Sequence, residues 1–218
     1  MQEKPDQPGM KKSPPFRLML VSDQRRLGDR PLLSVALSAA EGGVDALQLR
    51  EKDLPGRELL ELGLKLHKEL GSAAALLINE RVDVARAIPG AGAHLPGSGP
   101  RIAESRETLG PERLLGKSAH RLEEALSAER EGADYVIFGP VYDTESKRPY
   151  GPPPGIALLK ETASAAGIPV YAIGGINPDR AAEVRDAGAA GMAVMSFILD
   201  HPDPAEAARL LKDGWRRG

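Results

Sequence analysis

Short apolar runs alternate with longer stretches of helical spacing along this chain. Runs at 16–21, 46–50, 73–78, 92–95, 114–117, 135–138, 169–173 and 191–194 are dominated by Leu, Ile, Val and Ala and read as buried strands. Between and after them, 31–41, 56–70, 82–87, 101–109, 121–131, 156–166, 178–187 and 204–215 have helical character, most with apolar residues three and four apart. The clearest is 56–70, where Leu59, Leu62, Leu66 and Leu70 form one stripe that Gly71 stops. Pro178 follows Asn177 at the first position of another, where its missing N–H costs nothing.

Eight strand–helix units in strict alternation predict a parallel sheet, and eight units favour closure into a (β/α)8 TIM barrel. An open doubly wound sheet is the rival. It calls for Gly-x-Gly-x-x-Gly after the first strand, which this chain lacks. Residues 1–15 hold four prolines, several charges and no apolar period. They predict a disordered tail ahead of a single domain, 16–218.

Composition narrows the function. The chain has 218 residues, with 29 basic against 31 acidic and a net charge of -2, which argues against a nucleic-acid partner. The absence of cysteine excludes disulfides, thiolate nucleophiles and Cys-based zinc sites. No apolar run approaches the roughly 18 residues of a membrane span, so a cytoplasmic protein without a membrane partner is expected.

In a barrel the C-terminal strand ends face one site. Here they are rich in groups that hold anions. Gln48 and Arg50 sit two apart and point to one side of a strand, with Lys52 just beyond. The bland alternative is a solvated charge run, but Gln and Arg alternate with leucines inside the strand itself. Asn79-Glu80 ends the third strand. Glu80 could ligate a cation or act as a base, or it could simply pair with Arg81 or cap a helix. Ser118 and His120 end the fifth, and His120 suits proton transfer. His94 reads as structural, His67 as inert on a polar helix face. The long loop 139–155 brings Thr144, Ser146 and Lys147, a candidate lid for phosphate capture. Gly174-Gly175 after the seventh strand, with Met195-Ser196 after the eighth, makes a candidate phosphate cradle.

Taken in order, Gln48-Leu49-Arg50-Glu51-Lys52, Leu77-Ile78-Asn79-Glu80-Arg81-Val82-Asp83, Ser118-Ala119-His120, Phe138-Gly139-Pro140-Val141, Ala172-Ile173-Gly174-Gly175-Ile176 and Val194-Met195-Ser196 resemble the thiamine phosphate synthase / thiazole tautomerase superfamily. The match runs from about residue 17 to 208. It implies an (α/β)8 barrel, a homodimer and one of two activities. The synthase joins an aminopyrimidine diphosphate to a thiazole phosphate, releasing pyrophosphate, with Mg²⁺. The tautomerase aromatises a carboxythiazole phosphate by moving a proton and needs no cofactor. By this resemblance Gln48, Arg50, Lys52, Asn79 and Lys147 match the synthase's pyrimidine diphosphate site. Gly174, Gly175, Ser196, Thr144 and Ser146 match its thiazole phosphate site.

Two departures weigh on the choice. The synthase pattern has Asn-Asp where this chain has Asn79-Glu80, and its second metal carboxylate falls on Gly99. Glu80 would then be the metal ligand only in a synthase, and a thin one. The expectation is therefore a thiazole tautomerase. In it His120 transfers the proton, Arg50 pairs with the substrate carboxylate and the partner is a small phosphorylated thiazole. The alternatives are a Mg²⁺-dependent synthase and a non-catalytic phosphate-ligand binding or regulatory protein.

Overall fold

The computed structural model describes residues 15–143 and 153–217. The 1–15 tail lies, but for Pro15, outside the described residues. The strands are β1 (Leu18–Val21), β2 (Ala46–Leu49), β3 (Ala75–Asn79), β4 (Gly92–Leu95), β5 (Leu115–Ala119), β6 (Tyr135–Phe138), β7 (Val170–Ile173) and β8 (Gly191–Val194). The helices are α1 (Leu32–Glu41), α2 (Gly56–Leu70), α3 (Val82–Ala87), α4 (Ile102–Leu109), α5 (Leu122–Arg130), α6 (Gly155–Ala165), α7 (Pro178–Asp186), α8 (Ser196–Leu199) and α9 (Pro204–Arg216). Every neighbouring strand pair is parallel, and β8 returns to β1 through Leu18↔Met192 and Leu20↔Val194. The sheet is thus a closed barrel, a (β/α)8 TIM barrel, and the open-sheet rival is excluded.

Strand alternation splits the core in two. Leu18, Leu20, Leu47, Leu49, Leu76 and Ile78 join the layer between sheet and helices. Met19, Val21, Ala46, Leu77, Tyr135, Ile137, Tyr171 and Ala193 fill the barrel. The interior is sized by large residues opposite none. A Cβ on Gly116 would meet the Tyr135 ring at 2.1 Å, and one on Gly191 would meet the Tyr171 ring at 2.8 Å. Phe16 closes the floor. Its ring stacks on Tyr171 at 4.3 Å and meets Tyr135 edge-on at 5.2 Å, and its carbonyl accepts the Tyr171 hydroxyl at 2.7 Å. Such aromatic pairs add about 0.5–1.5 kcal/mol each to their burial.

This explains why β1 starts at Leu18 rather than at residue 16. Phe16 turns under the barrel, and the Asp45 carboxylate accepts the N–H groups of Arg17 and Leu18 at 2.9 and 2.7 Å. Two short elements were not foreseen: a 3₁₀ turn (Gln24–Arg26) after β1, and α8, which makes Ser196 a helix start. Helix α9 packs on α1 and α7, its first turn capped by Asp203.

Replacing Phe16 with Ala should destabilise the protein by about 3 kcal/mol. Thermal unfolding followed by circular dichroism should show the melting point falling by roughly 6–12 °C.

Candidate active site

The mouth of the barrel is built first from backbone. Where β1 and β2 end, the Glu51 carboxylate accepts the Ser22 hydroxyl at 2.5 Å and the Gln24 N–H at 3.0 Å. Ser22 Oγ in turn accepts the Arg50 N–H at 2.9 Å. This staple fixes the direction in which the chain leaves β2 and so where Arg50 and Lys52 start. Burial pushes the Glu51 carboxyl up, while its bonds from Ser22 and Gln24 pull the other way. Beside it, a side-chain bond from Arg25 holds the Asp23 carboxyl below its usual value. Gln48 is 3% exposed and faces the interior. Among the described residues its amide meets only Met19 Sδ, at 3.9 Å, a weak acceptor. A buried amide so poorly matched is suited to a ligand. Arg50 and Asn79 are half-buried and Lys52 is exposed.

Glu80 stands just past β3 with φ +66, the one non-glycine residue in the left-handed region among those described. Its N–H donates to the His94 carbonyl at 2.8 Å. Conformations of this kind cost about 1–3 kcal/mol and gather at functional sites. The pairing with Arg81 considered from sequence does not form, because Arg81 bonds Asp83 instead. Glu80 does not cap α3 either; Arg81 holds that position. Across the mouth, Gly99 closes a turn by donating to the Pro96 carbonyl at 2.9 Å. A Cβ there would meet the Pro96 ring at 2.8 Å, so the turn itself leaves no room for a carboxylate.

His94 and Ser118 face each other from β4 and β5, with Nε2 and Oγ 2.9 Å apart. His94 Nδ1 lies 3.3 Å from Tyr135 Oη, and the two rings stack at 5.7 Å. Burial alone lowers the His94 pKa to about 3; burial first, with the nearby Tyr171 and Asp134 charges adding to it, raises that of Tyr135 well above its usual value. His94, read from sequence as structural, is thus buried and held by polar contacts within the barrel. His120 is exposed, and its Nδ1 donates to the Gly139 carbonyl at 2.5 Å. In the neutral ring this leaves Nε2 as a bare acceptor. The Glu124 carboxylate accepts the His120 N–H at 2.7 Å and ties the residue to α5.

Gly174 and Gly175 have φ +100 and +66. Side chains there would strike Pro140 at 2.6 Å and Tyr142 at 2.8 Å. The strand-end glycines are thus required by the β6 loop, whose Val141 and Tyr142 N–H groups donate to the Ile173 and Gly174 carbonyls at 2.8 and 3.1 Å. Tyr142 is further held by its hydroxyl bond to Glu183 at 2.5 Å and by Arg180, 4.4 Å over its ring. Met195 and Ser196 lead into α8. An open depression of about 400 Å³ lies here, lined by Gly175, Asn177, Ser196, Phe197 and His201 among others. Thr144, Ser146 and Lys147 fall outside the described residues.

The barrel thus brings Gln48, Arg50, Asn79, Ser118 and His120 to one mouth, with Gly174, Gly175 and Ser196 at its β7–β8 side. Ser22 was legible from sequence as the end of the first strand, whereas Glu51 and Tyr135 were not singled out as site residues. The signals were there for both. Glu51 is a carboxylate between two cations, and Tyr135 shares inward parity with Ile137.

These features define a class: (β/α)8 barrels with basic and polar side chains gathered at the strand-end mouth. Residues 18–198 match the family model described as thiamine monophosphate synthase, and the chain belongs to that family. A Geobacter sulfurreducens protein, named provisionally as a thiamine-phosphate synthase, is 47% identical over 197 residues, spanning 90% of this chain and 92% of its own. The thiamine-phosphate synthase of Desulfitobacterium hafniense Y51 is 41% identical over 92% of this chain and 98% of its own. A solved Pyrococcus furiosus thiamine phosphate pyrophosphorylase superposes with a TM-score of 0.83 at 34% identity, covering 91% of this chain and 95% of that one. The protein is an enzyme of thiamine biosynthesis. The finer expectation of a tautomerase finds no support in these relatives, whose names favour the synthase alternative.

Because the folded state keeps His94 neutral, with its pKa moved from 6.5 to about 3, this group's contribution to stability is complete above about pH 6.5 and lost as pH falls towards 3. Urea unfolding should show stability declining below pH 6.5, with up to about 1.4 kcal/mol per pH unit from this residue. His94→Asn should flatten that slope.

Proposed function

We propose that this enzyme is a Mg²⁺-dependent thiamine-phosphate synthase, joining an aminopyrimidine diphosphate to a thiazole phosphate. The observation that carries this reading is the cationic end of β2. Arg50 is positioned through the Ser22–Glu51 staple, with Lys52 beyond it and the poorly satisfied Gln48 amide inside. A diphosphate with a flat polar ring calls for that combination, and near full-length relatives bear the synthase name.

The fit to Mg²⁺ can be tested on the residues present. Among the described residues no three His, Asp or Glu side chains cluster to cage an ion, and the Gly99 turn excludes a second carboxylate. Mg²⁺ carried on a diphosphate needs less, one or two carboxylates beside phosphate oxygens and water. Glu80, outside any ion pair with Arg81, suits that role. Bound there, the ion would neutralise charge on the diphosphate.

The chain's own residues do the rest. Arg50 and Lys52 hold the diphosphate, and Lys147 joins them. Gln48, Asn79 and Ser118 orient the pyrimidine diphosphate. Gly174, Gly175, Met195 and Ser196 hold the thiazole phosphate, with Thr144 and Ser146. The thiazole nitrogen lone pair then forms the new C–N bond as the C–O bond to diphosphate breaks. A second reading, the thiazole tautomerase, is favoured by one observation: His120 has Nδ1 committed to Gly139 and Nε2 available as a base.

Purified protein should form thiamine phosphate only with Mg²⁺, and Arg50→Ala should lower kcat/KM by roughly 10–100-fold. Metal-free aromatisation of the carboxythiazole phosphate, lost in His120→Ala, would install the tautomerase instead. Tight ligand binding with neither reaction would leave a binding protein. Glu80→Gly should raise the Mg²⁺ concentration required while leaving stability unchanged or higher by up to about 1 kcal/mol, because glycine accepts the left-handed backbone.

A further inference from the structure

Behind Ser118 stand two polar residues, His94 and Tyr135, that neither reading above uses. Tyr135 Oη, His94 Nδ1, His94 Nε2 and Ser118 Oγ are linked in series by contacts of 3.3 and 2.9 Å. Tyr135 is fully buried and His94 nearly so. The surroundings of the Tyr135 ring are apolar: Phe16 edge-on, Tyr171 edge-on and the bare backbone of Gly116. Among the described residues the Tyr171 hydroxyl is bonded to the Phe16 backbone, donating to its carbonyl at 2.7 Å and accepting its N–H at 3.4 Å, and not to Tyr135.

Proton counting then fixes a direction. Tyr135 has one O–H, and among the described residues its partner is His94 Nδ1. If Tyr135 donates, Nδ1 is unprotonated and the neutral ring carries its proton on Nε2. Nε2–H then donates to Ser118 Oγ, and the serine's own O–H is left for a third atom. In the reverse order Ser118 donates to Nε2, Nδ1–H donates to Tyr135, and the tyrosine proton has nowhere to go. A buried hydroxyl without an acceptor is the costlier arrangement. Ser118 is half-buried at the C-terminal end of β5, so its third atom belongs to whatever fills the mouth.

We propose that Tyr135 and His94 are positioning residues that order the protons so that Ser118 meets substrate as a hydrogen-bond donor. The consequence is a specificity rule: the substrate atom opposite Ser118 is an acceptor, a phosphate oxygen or an unprotonated ring nitrogen, and not an N–H group. This rests on the proposal that Ser118 belongs to the substrate site, and it deepens that proposal.

The test has a readout that does not depend on turnover. Histidine ¹⁵N shifts of the full-length protein distinguish protonated from bare ring nitrogens, and His94 can be assigned by replacing the other three histidines in turn. His94 should show Nε2 protonated and Nδ1 bare. Tyr135→Phe should destroy that single state, and Ser118→Ala should weaken binding of the acceptor-bearing ligand about tenfold or more, with Ser118→Thr restoring most of it. Titrations with inorganic pyrophosphate and with the aminopyrimidine alcohol separate the two sources of acceptor: the ligand that shifts Nε2 is the one Ser118 touches. A wild-type ring protonated on Nδ1 would overturn the proposal. So would a Tyr135→Phe variant with an unchanged tautomer, or binding of both ligands indifferent to Ser118→Ala. Loss of the synthase reaction alone, with Nε2 protonated and ligand binding sensitive to Ser118, would overturn the synthase reading and leave this one standing.

Discussion

The aromatic floor of the barrel is the constraint on which the remainder depends. Tyr135 and Tyr171, with Phe16 packed on both, occupy the space that inward positions on β5 and β8 leave by being glycine. A barrel interior must be filled to native density, and here large rings against Gly116 and Gly191 do much of what four-residue layers of branched side chains do elsewhere. The arrangement has a second effect. The Tyr135 ring reaches far enough across the interior to put its hydroxyl under His94, so the packing layer and the polar layer above it are joined through one side chain.

Above that floor the mouth is shaped more by backbone than by side chains aimed at a ligand. Ser22 and Glu51 are hydrogen-bonded to each other and accept the Arg50 and Gln24 amides, so the staple grips main chain. Glu80 is placed by a left-handed turn that the His94 carbonyl secures. The turn at Pro96–Gly99 sets a proline ring 2.8 Å from where a side chain on residue 99 would begin. Charge at this mouth is mixed on the β2 side, where Arg50 and Lys52 stand beside Asp23 and Glu51, and among the described residues no three His, Asp or Glu side chains cluster.

Much of this could be read from the residues. The barrel followed from the alternation of apolar runs and amphipathic stretches, and strands such as Gly92–Leu95 and Tyr135–Phe138 fell where their patterns put them. Gln48 was legible because a polar residue between leucines in a buried strand needs a reason, and the structure supplies one in its weak contact with sulfur. What stayed hidden depended on contacts between distant residues. Phe16 looked like the start of a strand because its position under the barrel is set by residues 135 and 171. Glu80 offered two local partners on paper, yet backbone sign and the Asp83 carboxylate decided against both. Helix α8 is four residues long, too short for periodicity to register.

Gly174 and Gly175 suggested phosphate binding from sequence, and their geometry gives them a second master. The loop after β6 lies so close that Pro140 and Tyr142 occupy the places where their side chains would stand. In evolutionary terms this packing is by itself a selective pressure on the pair, whatever ligand the mouth takes. Any descendant that kept the β6 loop in place would be bound to keep both glycines, so their survival in a lineage would record the architecture of the barrel and not its chemistry.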